Sequence, residues 1–295
     1  MVAPGAIWLL LLRYLPMFGI VLAFKSYKPF PKNPTFINNL IQSKWVGLKN
    51  FQFLFMTGGT WTMIRNTVGY NALWIILGLV ISVAFAIMLS QLTKKLVAKT
   101  FQTMMFFPYF LSWVVASYFL FAFIDATNGM IPRLQRSMGA DVIDWYNAPK
   151  YWPYILTFAN IWKNVGYSTV LYLAAITGID ASLYEAAAVD GASKWQQMVH
   201  ITLPSIRTMI IVLLIMNVGR IFNADFGLFY QLPMQSGPLF PVTQVIDTYV
   251  YRAYISTGNV GQSSAAGLLQ NVIGFFAILG TNAIVRKIEP DSSLF

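Results

Sequence analysis

The chain has 295 residues, of which 57% are hydrophobic and 10% are charged, and its mean hydropathy is +0.60. A soluble domain carries about 25% charged residues, so this composition excludes an ordinary globular enzyme and argues against nucleic-acid binding despite the net charge of +10. The lack of cysteine excludes disulfides, and the single histidine, His200, excludes a multi-histidine metal site. We expect no catalytic residues and no metal.

Long apolar runs recur along the chain and predict an all-α integral membrane protein with about six transmembrane helices. At a rise of about 1.5 Å per residue, each run crosses a hydrocarbon core of about 30 Å. A membrane barrel would instead show alternating segments of about 10 residues. We predict one transmembrane domain over residues 1–295 with spans at 6–24, 68–89, 101–124, 151–176, 209–229 and 265–285.

The parts of the chain outside the spans carry three further predictions. An amphipathic segment at 45–55 is predicted to lie along the membrane interface, and a short helix is predicted at 242–255. The first span begins without a basic flank, so we expect a cytoplasmic leader to precede it in the natural protein.

The loop at 180–204, between the fourth and fifth spans, is charged and rich in small residues. Its alanines are strong helix formers, Gly191 supplies the freedom to end a helix, and Ser193 can cap a second one. We therefore predict two short helices with a turn at Gly191. A helix of small residues can lie deep in a groove of another protein, where Glu185 offers one charge for pairing.

This loop resembles the EAA loop of bacterial ABC-importer permeases, which reads Glu-Ala-Ala, three residues, Gly, nine residues, then Ile-x-Leu-Pro. The matching positions and the adjoining acid are Glu185, Ala186, Ala187, Asp190, Gly191, Ile201, Leu203 and Pro204. Stretches at 16–24, 46–51, 219–230 and 263–267 also resemble carbohydrate-uptake permeases of the maltose-permease-like, type I family. The likeness is strongest to permeases for complex oligosaccharides, and an alginate importer permease is a candidate.

The resemblance implies a permease subunit that forms half of a translocation pathway and works by alternating access. It implies a second permease subunit, for which a different chain is favoured, two ATPase subunits that contact the coupling loop (180–204), and an external solute-binding protein that delivers an oligosaccharide. ATP and magnesium would bind in the ATPase subunits, and this chain would need no cofactor. No GxxxxGK[ST] phosphate loop occurs in the sequence, which agrees with that division.

The orientation follows from the resemblance, because the ATPase works in the cytoplasm. It places the coupling loop and both termini on the cytoplasmic side of a bacterial inner membrane. More lysine and arginine then lies in the external loops than in the internal ones, which the positive-inside rule disfavours. An external basic excess would attract an anionic substrate such as a uronate oligomer, an acidic binding protein, or lipid headgroups.

Polar and charged residues in the fourth and fifth spans are predicted to line the substrate path. Such residues are costly in lipid and usually face a bundle interior or water. They are Asn160, Trp162, Lys163, Tyr167, Asn217, Arg220, Asn223 and Asp225. The alternative is that Arg220 and Asp225 pair with each other or with a partner subunit, and that Lys163 extends toward the membrane surface.

Two other functions remain open from the residues alone. An ion-coupled secondary transporter usually buries carboxylates or shows repeat symmetry, whereas only Asp225 is a clear carboxylate within a span and no repeat is visible. A membrane enzyme that handles lipid-linked sugars would need a cluster of acids or a metal site, and the 10 acidic residues are scattered.

Overall fold

A computed structural model describes residues 2–27, 35–56, 58–288 and 290, and these are almost wholly helical. Two short strands, β1 (Lys25–Ser26) and β2 (Lys44–Trp45), pair antiparallel. The α-helices are α1 (Ala3–Leu9), α2 (Phe36–Gln42), α3 (Lys49–Met56), α4 (Thr60–Ser90), α5 (Lys95–Phe106), α6 (Trp113–Ile124), α7 (Met130–Ser137), α8 (Trp152–Thr177), α9 (Ala181–Val189), α10 (Lys194–Gln197), α11 (Leu203–Ser205), α12 (Arg207–Val218), α13 (Phe226–Gln231), α14 (Phe240–Thr243), α15 (Ile246–Thr257) and α16 (Val260–Ile288).

Three helical stretches of the described chain are long and apolar enough to cross a membrane alone, namely Ala3–Phe24, Thr60–Ser90 and Val260–Lys287. Three helix pairs qualify only together, and they bend between their halves by 99°, 69° and 57°. These pairs are Lys95–Phe110 with Trp113–Ile124, Pro149–Thr177 with Ala181–Val189, and Lys194–Ser205 with Arg207–Val218. Counting each pair as one span gives up to six, which agrees with the predicted number.

The region of the predicted third span, 101–124, is formed by two helices that meet at a sharp bend. Helix α5 continues as a 3-10 turn over Phe107–Phe110, and α6 then leaves at 99°. Pro108 lacks the amide that would extend an α-helix, and the Ser112 hydroxyl caps α6 by accepting from the Val115 amide at 3.2 Å. We call this break, at residues 111–112, the span-three bend.

The predicted fifth span, 209–229, is also interrupted. Helix α12 ends at Val218, residues 219–225 are not helical, and α13 begins at Phe226. The Asp225 carboxylate caps α13 by accepting from the Leu228 amide at 3.2 Å, and a capping residue takes non-helical dihedrals. We call residues 219–225 the span-five break.

The spans pack closely where small residues remove the side chain between them. Helix α8 lies along α4, and Gly166 of α8 meets the Met105 backbone of α5 so closely that no Cβ would fit. Gly274 of α16 likewise meets the carbonyl oxygen of Gly219 at the end of α12. These contacts fix α4, α8, α12 and α16 around a common interior.

The remaining predicted segments are helical with shifted ends. The interfacial segment predicted at 45–55 contains α3, which begins at Lys49. The helix predicted at 242–255 is two helices, because Gln244 and Val245 are extended between α14 and α15.

Candidate functional site

The coupling loop forms the two short helices that its sequence predicts. The Asp180 carboxylate accepts from the Ser182 amide at 3.0 Å, which begins α9 and lowers the pKa of that carboxyl. Gly191 ends the unit with a φ of +78°, a left-handed conformation that favours glycine. Ser193 then begins α10 in a capping box with Gln196.

Most side chains of helix α9 are exposed, whereas Tyr184 and Ala187 are half-buried. Glu185, Ala186 and Asp190 are exposed, and Val189 is 88% exposed. In α10, Trp195 is 71% exposed. Exposed apolar side chains of this kind mark a surface that another protein can cover.

The C-terminal end of the coupling loop is nevertheless held against the membrane helices. The Tyr184 hydroxyl and the Thr202 hydroxyl lie 2.9 Å apart, which joins α9 to the segment that carries Ile201, Leu203 and Pro204. Two residues later, Ile206 is fully buried against Tyr172 of α8. A hydrogen bond and packed side chains thus connect α9 with the fourth and fifth spans.

A cavity of about 380 Å³ lies between α4, α8, α12 and the span-five break. We call it the central cavity. It brings together five of the eight residues predicted for the substrate path, and these are Asn160, Tyr167, Asn217, Arg220 and Asn223. Two spans that are separate in sequence thus face one space.

The lining of the central cavity is aromatic and amide-rich with one charge. Tyr109 and Tyr167 stack at 4.8 Å between ring centroids, with 13° between their planes. Among the described residues that line the cavity, Arg220 is the only one whose side chain is charged at neutral pH. Stacked rings, amides and a guanidinium are the groups that bind a sugar bearing a carboxylate.

The other three predicted path residues do not line the central cavity. Lys163 donates to the carbonyl oxygens of Tyr109, at 2.8 Å, and Leu111, and so holds the span-three bend. Asp225 accepts from Trp113 Nε1 at 2.7 Å, which is a bond to an indole and not the ion pair with Arg220 that the alternative interpretation considered. Trp162 is exposed on α8 and does not face the cavity.

Several lining residues were missed by sequence reasoning. Asn71 and Ser82 of α4 and Ser168 of α8 line the cavity, as does Tyr109 beside the span-three bend. Asn71 and Ser82 are polar positions within an apolar span, and that signal could have identified them. Tyr109 reaches the cavity only because the third span bends, which its apolar sequence does not reveal.

The sequence of this chain is similar to those of known transport proteins. Residues 75–290 match the family described as "Binding-protein-dependent transport system inner membrane component". The chain is 34% identical to the polygalacturonan/rhamnogalacturonan transport system permease protein YteP of Bacillus subtilis (strain 168), over 97% of this chain and 87% of that protein. It is 33% identical to protein LplB of the same organism, over 98% of this chain and 88% of that protein.

A solved structure shows the same fold. A chain in the crystal structure of a bacterial alginate ABC transporter, in complex with an alginate pentasaccharide-bound periplasmic protein, superposes with a TM-score of 0.83 at 30% identity. The similarity covers 98% of this chain and 93% of that one. The matched family region includes most of the second span, the third to sixth spans, the coupling loop and all of the central cavity lining except Asn71 and Trp74. The chain therefore belongs to the binding-protein-dependent transport system inner membrane components, the permease subunits of ABC importers.

Proposed function

We propose that this permease subunit forms half of the pathway for an acidic oligosaccharide and that the sugar passes through the central cavity. The relatives support the substrate class, since YteP is named for polygalacturonan and rhamnogalacturonan, and a second solved relative imports "the acidic polysaccharide alginate".

The observation that carries the proposal is the chemistry of the cavity lining. Arg220 is exposed beside the stacked pair Tyr109 and Tyr167, with the amides of Asn160 and Asn223 in the same lining. A guanidinium can bind a carboxylate with two parallel hydrogen bonds, aromatic faces cover the apolar face of a sugar ring, and amides bind hydroxyls. A uronate unit presents all three kinds of group.

Energy enters through the coupling loop in this proposal. The surface formed by α9 and the residue that follows it, with exposed Glu185, Ala186 and Asp190 and half-buried Ala187, docks on an ATPase subunit in the cytoplasm. Gly191 sets the angle between α9 and α10. ATP and magnesium bind in two such ATPase subunits, and this chain holds no cofactor and carries out no hydrolysis. Movement of α9 passes through Ile206 to the fourth and fifth spans, which open in alternation to each side.

The assembly contains three further kinds of protein component besides this chain. A second permease subunit of different sequence completes the pathway, and two copies of the ATPase lie below the pair. A solute-binding protein outside the membrane delivers the oligosaccharide, in keeping with the periplasmic protein in the solved relative. We place the complex in the bacterial inner membrane with both termini of this chain in the cytoplasm.

The test is uptake by proteoliposomes that contain the complex produced from its own operon. Oligogalacturonates and alginate oligomers are compared with neutral oligosaccharides of equal length, with the binding protein outside and ATP inside. We expect ATP-dependent uptake that prefers the acidic oligomers. Arg220→Gln should remove that preference, and Arg220→Lys, which keeps the charge, should retain part of it.

Two results would contradict this function. Equal uptake of neutral and acidic oligomers by the native complex would contradict the proposal that the substrate is an acidic oligosaccharide. Uptake that is driven by an ion gradient without ATP would instead support the alternative function, an ion-coupled secondary transporter.

A further inference from the structure

The span-five break places backbone polar groups within a membrane-spanning element, where lipid offers no hydrogen bonds. Part of the break bonds to itself, since the Asn223 amide donates to the Arg220 carbonyl at 2.9 Å. The carbonyls of Ile221, Phe222 and Asn223 and the amide of Ala224 need partners from elsewhere. The hydrogen-bond partners of these groups fix the position of the span-five break.

Helix α4 supplies the first partner. The Asn71 Nδ2 atom donates to the Ile221 carbonyl at 2.8 Å and to the Asn223 carbonyl at 3.1 Å. One amide therefore binds the two ends of a turn. This contact approaches the break from the side of the central cavity, which Asn71 itself lines.

Two further side chains hold the opposite side of the break. Gln270 of α16 donates from Nε2 to the Phe222 carbonyl at 2.6 Å and to the Asp247 carboxylate at 3.2 Å. The same Oδ2 of Asp247, in α15, accepts from the Ala224 amide at 2.9 Å. Both partners of the Gln270 amide nitrogen are pure acceptors, so the orientation of this amide is fixed. Gln270 is 6% exposed and does not line the central cavity.

The break carries two exposed side chains that line the central cavity, Arg220 and Asn223. Neither residue lies in a helix, because α12 has ended at Val218. The Arg220 amide continues the end of α12 as a turn by donating to the Asn217 carbonyl at 3.0 Å, and the backbone that follows, from Ile221 to Ala224, is held by side chains of α4, α15 and α16. Gln270 and Asp247 do not line the central cavity, so a change in either of them would move the groups that face it without removing a group from its lining.

We propose that Gln270 and Asp247, together with Asn71, are positioning residues that hold the span-five break so that Arg220 and Asn223 bind the oligosaccharide. This inference rests on the proposed function of the central cavity. It adds that substrate affinity is set from behind the cavity, by an amide and a carboxylate that the substrate does not contact.

The chain contains no cysteine, so an introduced thiol is unique within it, and the complex without that thiol corrects for modification of the other subunits. We would prepare the complex with Asn223→Cys and measure its rate of modification by a charged methanethiosulfonate, with increasing oligogalacturonate. Gln270→Met, which keeps the length of the side chain but removes the donor, is added to this background. Asn271→Met changes the next position of α16, which is exposed, and serves as the matched control. ATPase co-purification checks the assembly of each complex.

We expect the oligomer to protect Asn223→Cys in the parent. The half-protecting concentration should rise about tenfold with Gln270→Met, which is the effect of losing one to two hydrogen bonds, and should be unchanged with Asn271→Met. Equal half-protecting concentrations with and without Gln270→Met would overturn the inference. If the complex with Gln270→Met does not assemble, Asp247→Ala replaces it. This change, in α15, removes the acceptor of the Ala224 amide, and the half-protecting concentration should rise in the same way. No protection in the parent would overturn the function of the cavity, and this inference with it.

Discussion

Trp113 donates from its indole Nε1 to the Asp225 carboxylate at 2.7 Å, which joins the span-three bend directly to the span-five break. The two residues stand 112 positions apart in the sequence. Gly227 lies against the same indole so closely that a Cβ there would clash. The two irregular regions of the membrane domain are therefore one connected structure.

Asp225→Ala should destabilise the protein more than Asp225→Asn. The carboxylate both caps α13 and accepts from Trp113, and alanine removes both bonds at a cost of about 2–3 kcal/mol. Asparagine has one acceptor oxygen in place of two, so it keeps only one of these bonds and should lose about half as much, roughly 1–1.5 kcal/mol. Thermal unfolding of the detergent-solubilised complex measures the difference. Equal losses would show that the bond between Trp113 and Asp225 does not hold these regions together.

Glu185→Lys should abolish uptake while the protein remains in the membrane with its permease partner. The exposed carboxylate is expected to pair with a basic group of the ATPase, and a lysine would repel that group at the same contact. Glu185→Gln keeps the size without the charge and should leave partial uptake. Membrane abundance, ATPase co-purification and ATP-driven uptake are compared for both variants, and normal uptake by Glu185→Lys would refute the coupling role.

Tyr167→Leu should weaken transport, whereas Trp162→Leu should not. Tyr167 stacks on Tyr109 in the cavity lining, while Trp162 of the same helix is exposed elsewhere. Loss of an aromatic face costs about 0.5–1.5 kcal/mol, so the oligosaccharide concentration for half-maximal uptake should rise about 3- to 10-fold. Tyr167→Phe keeps the ring and should change it little. A larger effect at Trp162 would place the substrate path outside the central cavity.

The stability contributed by Asp247 should fall as the pH rises. Burial raises the pKa of the Asp247 carboxyl, and the negative charge of Asp225 acts in the same direction. The folded state then holds a proton that the unfolded state has released, so the free energy of unfolding falls from the ordinary pKa of an aspartate, about 4, up to the raised pKa. Asp247→Asn cannot titrate. The difference in unfolding temperature between the native protein and Asp247→Asn should therefore depend on pH, and a constant difference would contradict the prediction.

The helices that could be predicted from the sequence are those determined by residues within the helix or next to it. The two helices of the coupling loop follow from its alanines, from Gly191 and from the capping side chain of Ser193. Asn160 and Asn217 could be assigned to the cavity because an amide in an apolar span seeks the bundle interior.

The bend and the break were missed because their causes lie far away in the sequence. An apolar helix is stable in lipid whether it is straight or bent. The composition of the third span therefore could not reveal the span-three bend. Lys163 binds the Leu111 carbonyl from 52 residues away, and Asn71 binds the Ile221 carbonyl from 150 residues away. Lys163 and Asp225 were placed in the substrate path because a charge within a span can serve either a substrate or an irregular backbone.

The crossing of Gly219 and Gly274 has one further consequence. The backbone of Gly274 lies against the carbonyl oxygen of Gly219, and the Ile278 side chain packs against Gly219, so neither glycine has room for a side chain. The fifth and sixth spans can approach this closely only while both positions hold glycine. A larger residue at position 274 would push the sixth span away from the end of α12, where the span-five break begins.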